Sequence, residues 1–162
     1  MSPLRIREPR GGDALPIWQA VTATPELDNN SWYCYLLLCT HFADTCAVAS
    51  DDTGMVGFIT GFASGHDSTT WFVWQLWVQP ELRRQGVAAK LAEHVVGQDA
   101  SRFRAVQATV DPENLGSMIF IRELAQRRNA TMRVEPYLGA HLFPAAEGPH
   151  GQEDLVTLEL GE

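Results

Sequence analysis

Arg83-Arg84-Gln85-Gly86-Val87-Ala88 stands between an aromatic run, Trp71 to Val78, and an apolar helical stretch beginning at Val87. A strand, a short basic turn of small residues and then a helix start make an anion site. Free backbone N–H groups converge there, and the helix dipole adds positive potential. Gly86 lets the backbone come close to a phosphate, and Ala88 keeps the first helical turn narrow. The spacing is not that of a Walker loop, which needs a Lys-Ser/Thr pair after its glycines, nor that of a dinucleotide G-x-G-x-x-G turn.

The flanking elements follow from periodicity. Trp71 to Val78 is aromatic and β-branched and almost free of charge, as a strand buried on both faces would be. Pro80 ends its pairing. In the helix after Gly86, Val87, Ala88, Leu91, Ala92 and Val95 fall on one face. Upstream, Leu4 to Arg7 reads as an edge strand. Asp13 is placed to cap a helix carrying Ala14, Ile17, Trp18 and Val21, with Pro16 tolerated in its first turn. Ser31 or Asn30 caps a second helix, Trp32 to Phe42, which is apolar nearly all round and is expected to be buried. Cys46 to Ser50 and Met55 to Ala63 are strands joined by the turn Asp51 to Gly54. Downstream come a strand from Ala105 to Val110, a helix from Leu115 to Arg128 and a short strand from Met132 to Val134. A loop from Tyr137 to Gln152 follows, and a strand from Leu155 to Leu160 closes the sheet. The order is β-α-α-β-β-β-α-β-α-β-β, a mixed α/β (α+β) fold expected to fill residues 1–162 as one domain.

With 12 basic and 20 acidic residues in 162, the net charge is −8. This charge disfavours a nucleic-acid partner and suits a cationic small substrate. The three cysteines, Cys34, Cys39 and Cys46, have no metal or C-x-x-C spacing and read as reduced thiols of a cytoplasmic protein. His41, His141 and His150 form no metal-ligand pair, so no metal is expected. Apolar runs are too short to span a membrane, and no signal peptide is seen.

The hexapeptide R-x-x-G-x-A, with its strand before and helix after, resembles the pyrophosphate-binding signature (Q/R-x-x-G-x-G/A) of the GCN5-related N-acetyltransferases, the GNAT family, which bind coenzyme A there. The element order is that of the family's acyl-CoA N-acyltransferase fold. The resemblance continues in Leu27-Asp28-x-Asn30-Ser31-x-Tyr33-x-Tyr35-Leu36-Leu37-Leu38-Cys39-x-His41-Phe42-Ala43-Asp44-Thr45-Cys46. It extends to Phe72-Val73-Trp74-Gln75-x-x-Val78, Thr109-Val110-x-Pro112-x-Asn114, His141-x-Phe143-Pro144 and Glu153-Asp154. These stretches are similar to a branch of the family, the L-2,4-diaminobutyrate acetyltransferases of ectoine biosynthesis.

The resemblance implies direct acetyl transfer from acetyl-CoA to a small diamine, without a covalent enzyme intermediate, in a homodimer. Backbone N–H groups at Leu76 and Val78, where the family's central strand splays from its neighbour, would polarise the thioester carbonyl. Amides of Arg84, Gln85, Gly86, Val87 and Ala88 would hold the pyrophosphate, with Arg83 or Arg84 adding charge. Asn114 either contacts the pantetheine arm or simply caps its helix.

An alkyl ammonium with pKa near ~10 must lose a proton before it attacks. Many family members carry a Glu on the central strand, but this chain has Gln75, which cannot act as a base. Asp28 and Glu153 are the candidate carboxylates, with Asp154 behind them. Tyr33 is a candidate to protonate the leaving thiolate, because Ser117 to Ile121 offers no tyrosine; water is the alternative. Asn30, Ser31, Tyr33, Trp74 and Trp77 are suited to line the substrate pocket with Asp28 and Glu153, the aromatic rings favouring an ammonium. On a regular strand Trp74 and Trp77 face opposite sides, which makes one of them core; a bulge between them would alter this. An acetyltransferase for another amine, such as a polyamine, and a CoA-binding module without chemistry are the alternative readings.

Overall fold

A computed structural model describes residues 2–145 and 151–161. Its seven-stranded sheet has the order β1-β2-β3-β4-β5-β7-β6. The strands are β1 (Arg5–Arg7), β2 (Ala47–Asp51), β3 (Gly54–Ala63), β4 (Thr70–Val78), β5 (Ala105–Val110), β6 (Thr131–Leu138) and β7 (Glu153–Glu159). Helices α1 (Ala14–Thr22) and α2 (Trp32–Thr40) cover one face, and α3 (Val87–Gly97) and α4 (Leu115–Arg127) the other. All neighbours pair antiparallel except β4 and β5. The expected element order is thus present, with short 3₁₀ turns between elements.

The core is split by the sheet. On the α3/α4 side, Val87, Leu91, Ala92, Val95, Phe120, Ile121 and Leu124 pack on Val56, Ile59, Trp71, Val73, Val106, Val156 and Leu158. On the other side Ile17, Val21, Tyr35 and Leu38 pack on Val48 and Phe58. Each helix buries a stripe, and burial of that stripe is the main source of its stability.

Four expectations are corrected. Asp13 does not cap α1 with its side chain; its carboxylate pairs bidentately with Arg7 (2.7 and 2.9 Å) and accepts from the Arg10 amide (2.7 Å), tying β1 to the start of the helix layer. Helix α2 is buried on one face only, because a helix lying on a sheet has just one side to cover. Tyr35, Leu38 and Cys39 point inward, while Trp32, Tyr33 and Leu37 are exposed. The strand expected at Met132 to Val134 runs on through Leu138, taking Tyr137 and Leu138 out of the expected loop. It tolerates Pro136 because β6 is the sheet edge. The last strand begins at Glu153 and does not lie outermost: β7 inserts between β5 and β6, pairing with both. Of the loop histidines, His150 lies outside the described residues. Among the described residues no helix is long and apolar enough to cross a membrane, and no group of three His, Cys, Asp or Glu could hold a metal ion.

Candidate active site

The site begins where the parallel pair separates. β4 and β5 stay in register only over Thr70–Ala105, Trp71–Val106 and Phe72–Gln107. From Val73 to Val78 the strand holds β3 alone. The Gln79 amide donates to the Val56 carbonyl (2.8 Å) and the Gln75 amide to the Thr60 hydroxyl (3.1 Å), both on the β3 side. Alternation along the strand therefore turns the polar backbone of Leu76 and Val78 toward the gap that β5 has left. On that side the Val78 carbonyl accepts from Arg83 Nε (3.0 Å).

A bulge shapes the same strand. Thr60 pairs with Gln75 and Gly61 with Val73, leaving Trp74 as the extra residue. The Thr60 hydroxyl fills the broken ladder, accepting from the Gln75 N–H and donating to its carbonyl (3.3 Å). Gly61 is required here, because a Cβ would collide with the Phe72 carbonyl and the Trp71 indole. The extra residue shifts the phase, so Trp74 and Trp77 both pack on the α1/α2 side. Trp74 stacks on Tyr35 (6.4 Å, 14°) and Trp77 on Phe58 (6.3 Å, 21°). Trp74 borders the polar residues described below, and Trp77 packs beneath α1 and α2.

The basic turn follows β4. Arg84 (φ 60°) and Gly86 (φ 80°) both adopt left-handed backbone, and α3 starts at Val87. No side chain caps this helix, and its ladder opens with the Lys90 amide donating to the Gly86 carbonyl (3.0 Å). The amides of Val87, Ala88 and Ala89 thus precede the intrahelical ladder, as helix starts require. Of the three side chains in the turn, Arg83 holds β4 and Gln85 bends back to the Glu81 carbonyl (3.0 Å). Sequence reasoning missed Arg127 of α4. A Cβ on Gly86 would lie 2.6 Å from Arg127 Nη2, and this guanidinium is held by Glu123 (3.0 Å) and Glu93 (3.3 Å).

On the α2 side, four groups close a hydrogen-bonded ring. Gln75 Nε2 donates to the Asp28 carbonyl (2.9 Å), and Tyr35 donates its hydroxyl to Gln75 Oε1 (2.8 Å). Asn30 Nδ2 donates to both the Tyr35 hydroxyl (3.3 Å) and the Asp28 carbonyl (3.2 Å). Gln75 and Tyr35 are buried, and burial pushes the Tyr35 phenol above its ordinary value, so it stays protonated and donates. Tyr35 carries the ring but was not among the expected site residues; a phenol in an apolar helix gives no local sign of its partner.

Other expected residues are spread out. Ser31 is spent as the α2 cap, accepting from the Cys34 amide (3.3 Å). Tyr33 is 60% exposed on the outer face of α2 and is no part of the ring. Asn114 caps α4 through its carboxamide oxygen (3.1 Å to the Ser117 amide). Glu153 opens β7 opposite Leu138, and Asp154 sits opposite Val110 at the end of β5. Val156 and Leu158 face α3 and α4, so alternation puts Glu153 on the sheet face shared with Gln75 and α2, beyond the gap.

A mixed sheet whose central parallel pair opens ahead of an uncapped helix start defines the class. The chain belongs to the Acetyltransferase (GNAT) family, whose sequence profile matches residues 13–125. Within it, the chain is similar to L-2,4-diaminobutyric acid acetyltransferases. That of Halomonas elongata is 36% identical over 159 residues, covering 97% of this chain and 81% of the relative. That of Streptomyces coelicolor is 36% identical over 158 residues, covering 96% and 92%. Among solved structures, diaminobutyrate acetyltransferase EctA from Paenibacillus lautus, in complex with its substrate L-2,4-diaminobutyric acid and coenzyme A, superposes with a TM-score of 0.91. It is 33% identical, over 99% of this chain and 96% of that one.

Proposed function

We propose that this enzyme transfers the acetyl group of acetyl-CoA to the 4-amino group of L-2,4-diaminobutyrate, giving N4-acetyl-L-2,4-diaminobutyrate for ectoine biosynthesis. The observation that carries the reading is the near-full-length likeness to a solved relative whose complex holds that diamino acid and coenzyme A. The gap beside β4 and the helix start after it supply what such a transfer needs.

The residues take these roles. Amides of Arg84 to Ala88 receive the pyrophosphate at the positive end of α3, and Arg84 adds charge, since Arg83 is engaged with Val78. Leu76 and Val78 turn their N–H groups toward the thioester, where preorganised donors stabilise the oxyanion by several kcal/mol. Asn114 reaches the pantetheine arm through Nδ2. Asp28, Asn30 and Trp74 form one side of the diamine pocket and Glu153 the other. Glu153 takes the proton from the 4-ammonium, directly or through water, and the neutral amine attacks the carbonyl carbon. The tetrahedral intermediate then expels the CoA thiolate, and the extra proton on its nitrogen passes through water to that thiolate, leaving the amide and CoA thiol. Tyr33 lies away from the ring, and Gln75 has no proton-accepting carboxylate. We extend the proposal to a cytoplasmic homodimer serving osmoprotection; three unbridged thiols and the exposed Trp32, Tyr33, Leu37 and Phe42 support it.

The test is thiol release from acetyl-CoA with L-2,4-diaminobutyrate beside ornithine, lysine, putrescine and spermidine. Preference for diaminobutyrate, with acetyl on the 4-nitrogen, is expected. Preference for the polyamines overturns the substrate. Silence with all five overturns the reaction as stated.

A further inference from the structure

We infer that Gln75 and Tyr35 are positioning residues that lock residues 28–30 into the shape that receives the diamino acid. This requires an amide, rather than a carboxylate, at position 75. The inference rests on the function proposed above.

Residue 75 must do two opposite things at once. It donates to the Asp28 carbonyl (2.9 Å) and accepts from the Tyr35 hydroxyl (2.8 Å). Of the two isosteric side chains, Gln and Glu, only the carboxamide or the protonated carboxyl offers both. Its backbone is fixed as well, since the Thr60 hydroxyl bonds its N–H and its carbonyl at the bulge. Asn30 completes the ring from the loop side, touching the Tyr35 hydroxyl and the Asp28 carbonyl. Tyr35 has no exposed surface and Gln75 only 6%, so neither polar group can fall back on water. Trp74, displaced outward by the bulge, stacks on Tyr35 and clamps its ring. The loop of residues 23–31 contains no strand or α-helix. Its shape near the gap therefore depends on this ring, and with it the direction in which the Asp28 carboxylate and the Asn30 side chain are presented.

A Glu at position 75 conflicts with the ring while ionised, because it offers only acceptors and faces the Asp28 carbonyl. The titratable groups that act on its partner Tyr35 are Asp28 and Cys34; burial and the Asp28 carboxylate disfavour its charge, against the single bond that the Tyr35 hydroxyl donates. Once protonated it reproduces the donor–acceptor pair of the amide. The prediction is thus a pH-dependent rescue that simple packing damage does not give.

The experiment measures equilibrium binding of L-2,4-diaminobutyrate and of acetyl-CoA to the full-length wild type, Gln75→Glu and Tyr35→Phe at pH 8 and pH 5.5. Amide hydrogen exchange at residues 28–30 is followed without ligand. In Gln75→Glu the diamino acid is expected to bind roughly ten-fold or more weakly at pH 8 and to approach wild-type affinity at pH 5.5, with acetyl-CoA affinity unchanged. Loop exchange rises at pH 8 in both variants, and Tyr35→Phe shows no pH rescue. Wild-type diamine binding and loop exchange in both variants overturn the inference, as does a loss in Gln75→Glu that is the same at both pH values. If the wild type itself ignores diaminobutyrate, the proposed function fails, while ligand-free exchange still tests whether the ring holds the loop.

Discussion

Replacing Gly86 by alanine tests the anion cradle most directly. At φ 80° the added Cβ makes left-handed backbone cost about 1–2 kcal/mol. The new methyl also lies 2.6 Å from Arg127 Nη2, the far end of a flexible side chain, which can swing away. Swinging gives up the pairs to Glu123 and Glu93, each worth about 0–1 kcal/mol at their partial exposure. The sum, about 1–4 kcal/mol, is less than the usual stability of a domain, so the variant folds with a Tm lowered by roughly 2–15 °C. Coenzyme binding suffers more specifically. If the turn relaxes to relieve its φ, an amide turns away from the pyrophosphate, and each charge-assisted bond lost is worth about 1.5–3 kcal/mol, or roughly 10–150-fold in Kd.

Calorimetric titration of acetyl-CoA beside a thermal melt measures both effects. Gly54→Ala is the control: its φ is 124° and nothing lies within 4 Å of the added Cβ, so it carries a backbone cost at the β2–β3 turn, outside the proposed coenzyme turn. It is expected to lower Tm and leave the titration unchanged. A folded Gly86→Ala protein that binds acetyl-CoA as tightly as Gly54→Ala does would refute the assignment of this turn.

Two further predictions concern charge. Glu153→Gln is expected to lower kcat by roughly 100-fold or more and to move the pH optimum upward, because the reaction then depends on amine already neutral in solution. A wild-type pH–rate profile in that variant would remove Glu153 as the base. Asp13→Asn should destabilise the fold by about 1 kcal/mol near neutral pH, measured by urea unfolding. Burial alone would raise this carboxyl, but hydrogen bonds from Arg7 and the Arg10 amide, with the Arg7 charge, outweigh it and hold it below the ordinary 3.8. Its contribution is therefore complete above that value and is lost as the pH falls through the lower folded value. The difference between the two proteins should shrink in that acidic window, and a difference that persists there would contradict the pairing.

How much of this was legible in the chain depended on how far each feature reaches. The turn at Arg83 to Ala88 is local: a strand, a glycine and a helix start sit side by side, and periodicity alone places them. The element order is equally local. Strand pairing is not, and nothing in Glu153 to Glu159 says that it inserts between β5 and β6. The bulge likewise depends on a partner. Trp74 becomes the extra residue because Thr60 can bond both polar groups of Gln75 and because Gly61 admits the Trp71 indole. That one-residue shift decides that Trp74 and Trp77 share a face, which spacing alone denies. The least legible feature is the ring: Tyr35 and Gln75 are 40 residues apart, and each reads singly as an apolar-helix phenol and a base that is missing. Together they account for the glutamine. A position that must give a proton to one oxygen and receive one from another has no use for a carboxylate. The proton acceptor proposed for the reaction, Glu153, then stands across the gap, at the start of β7.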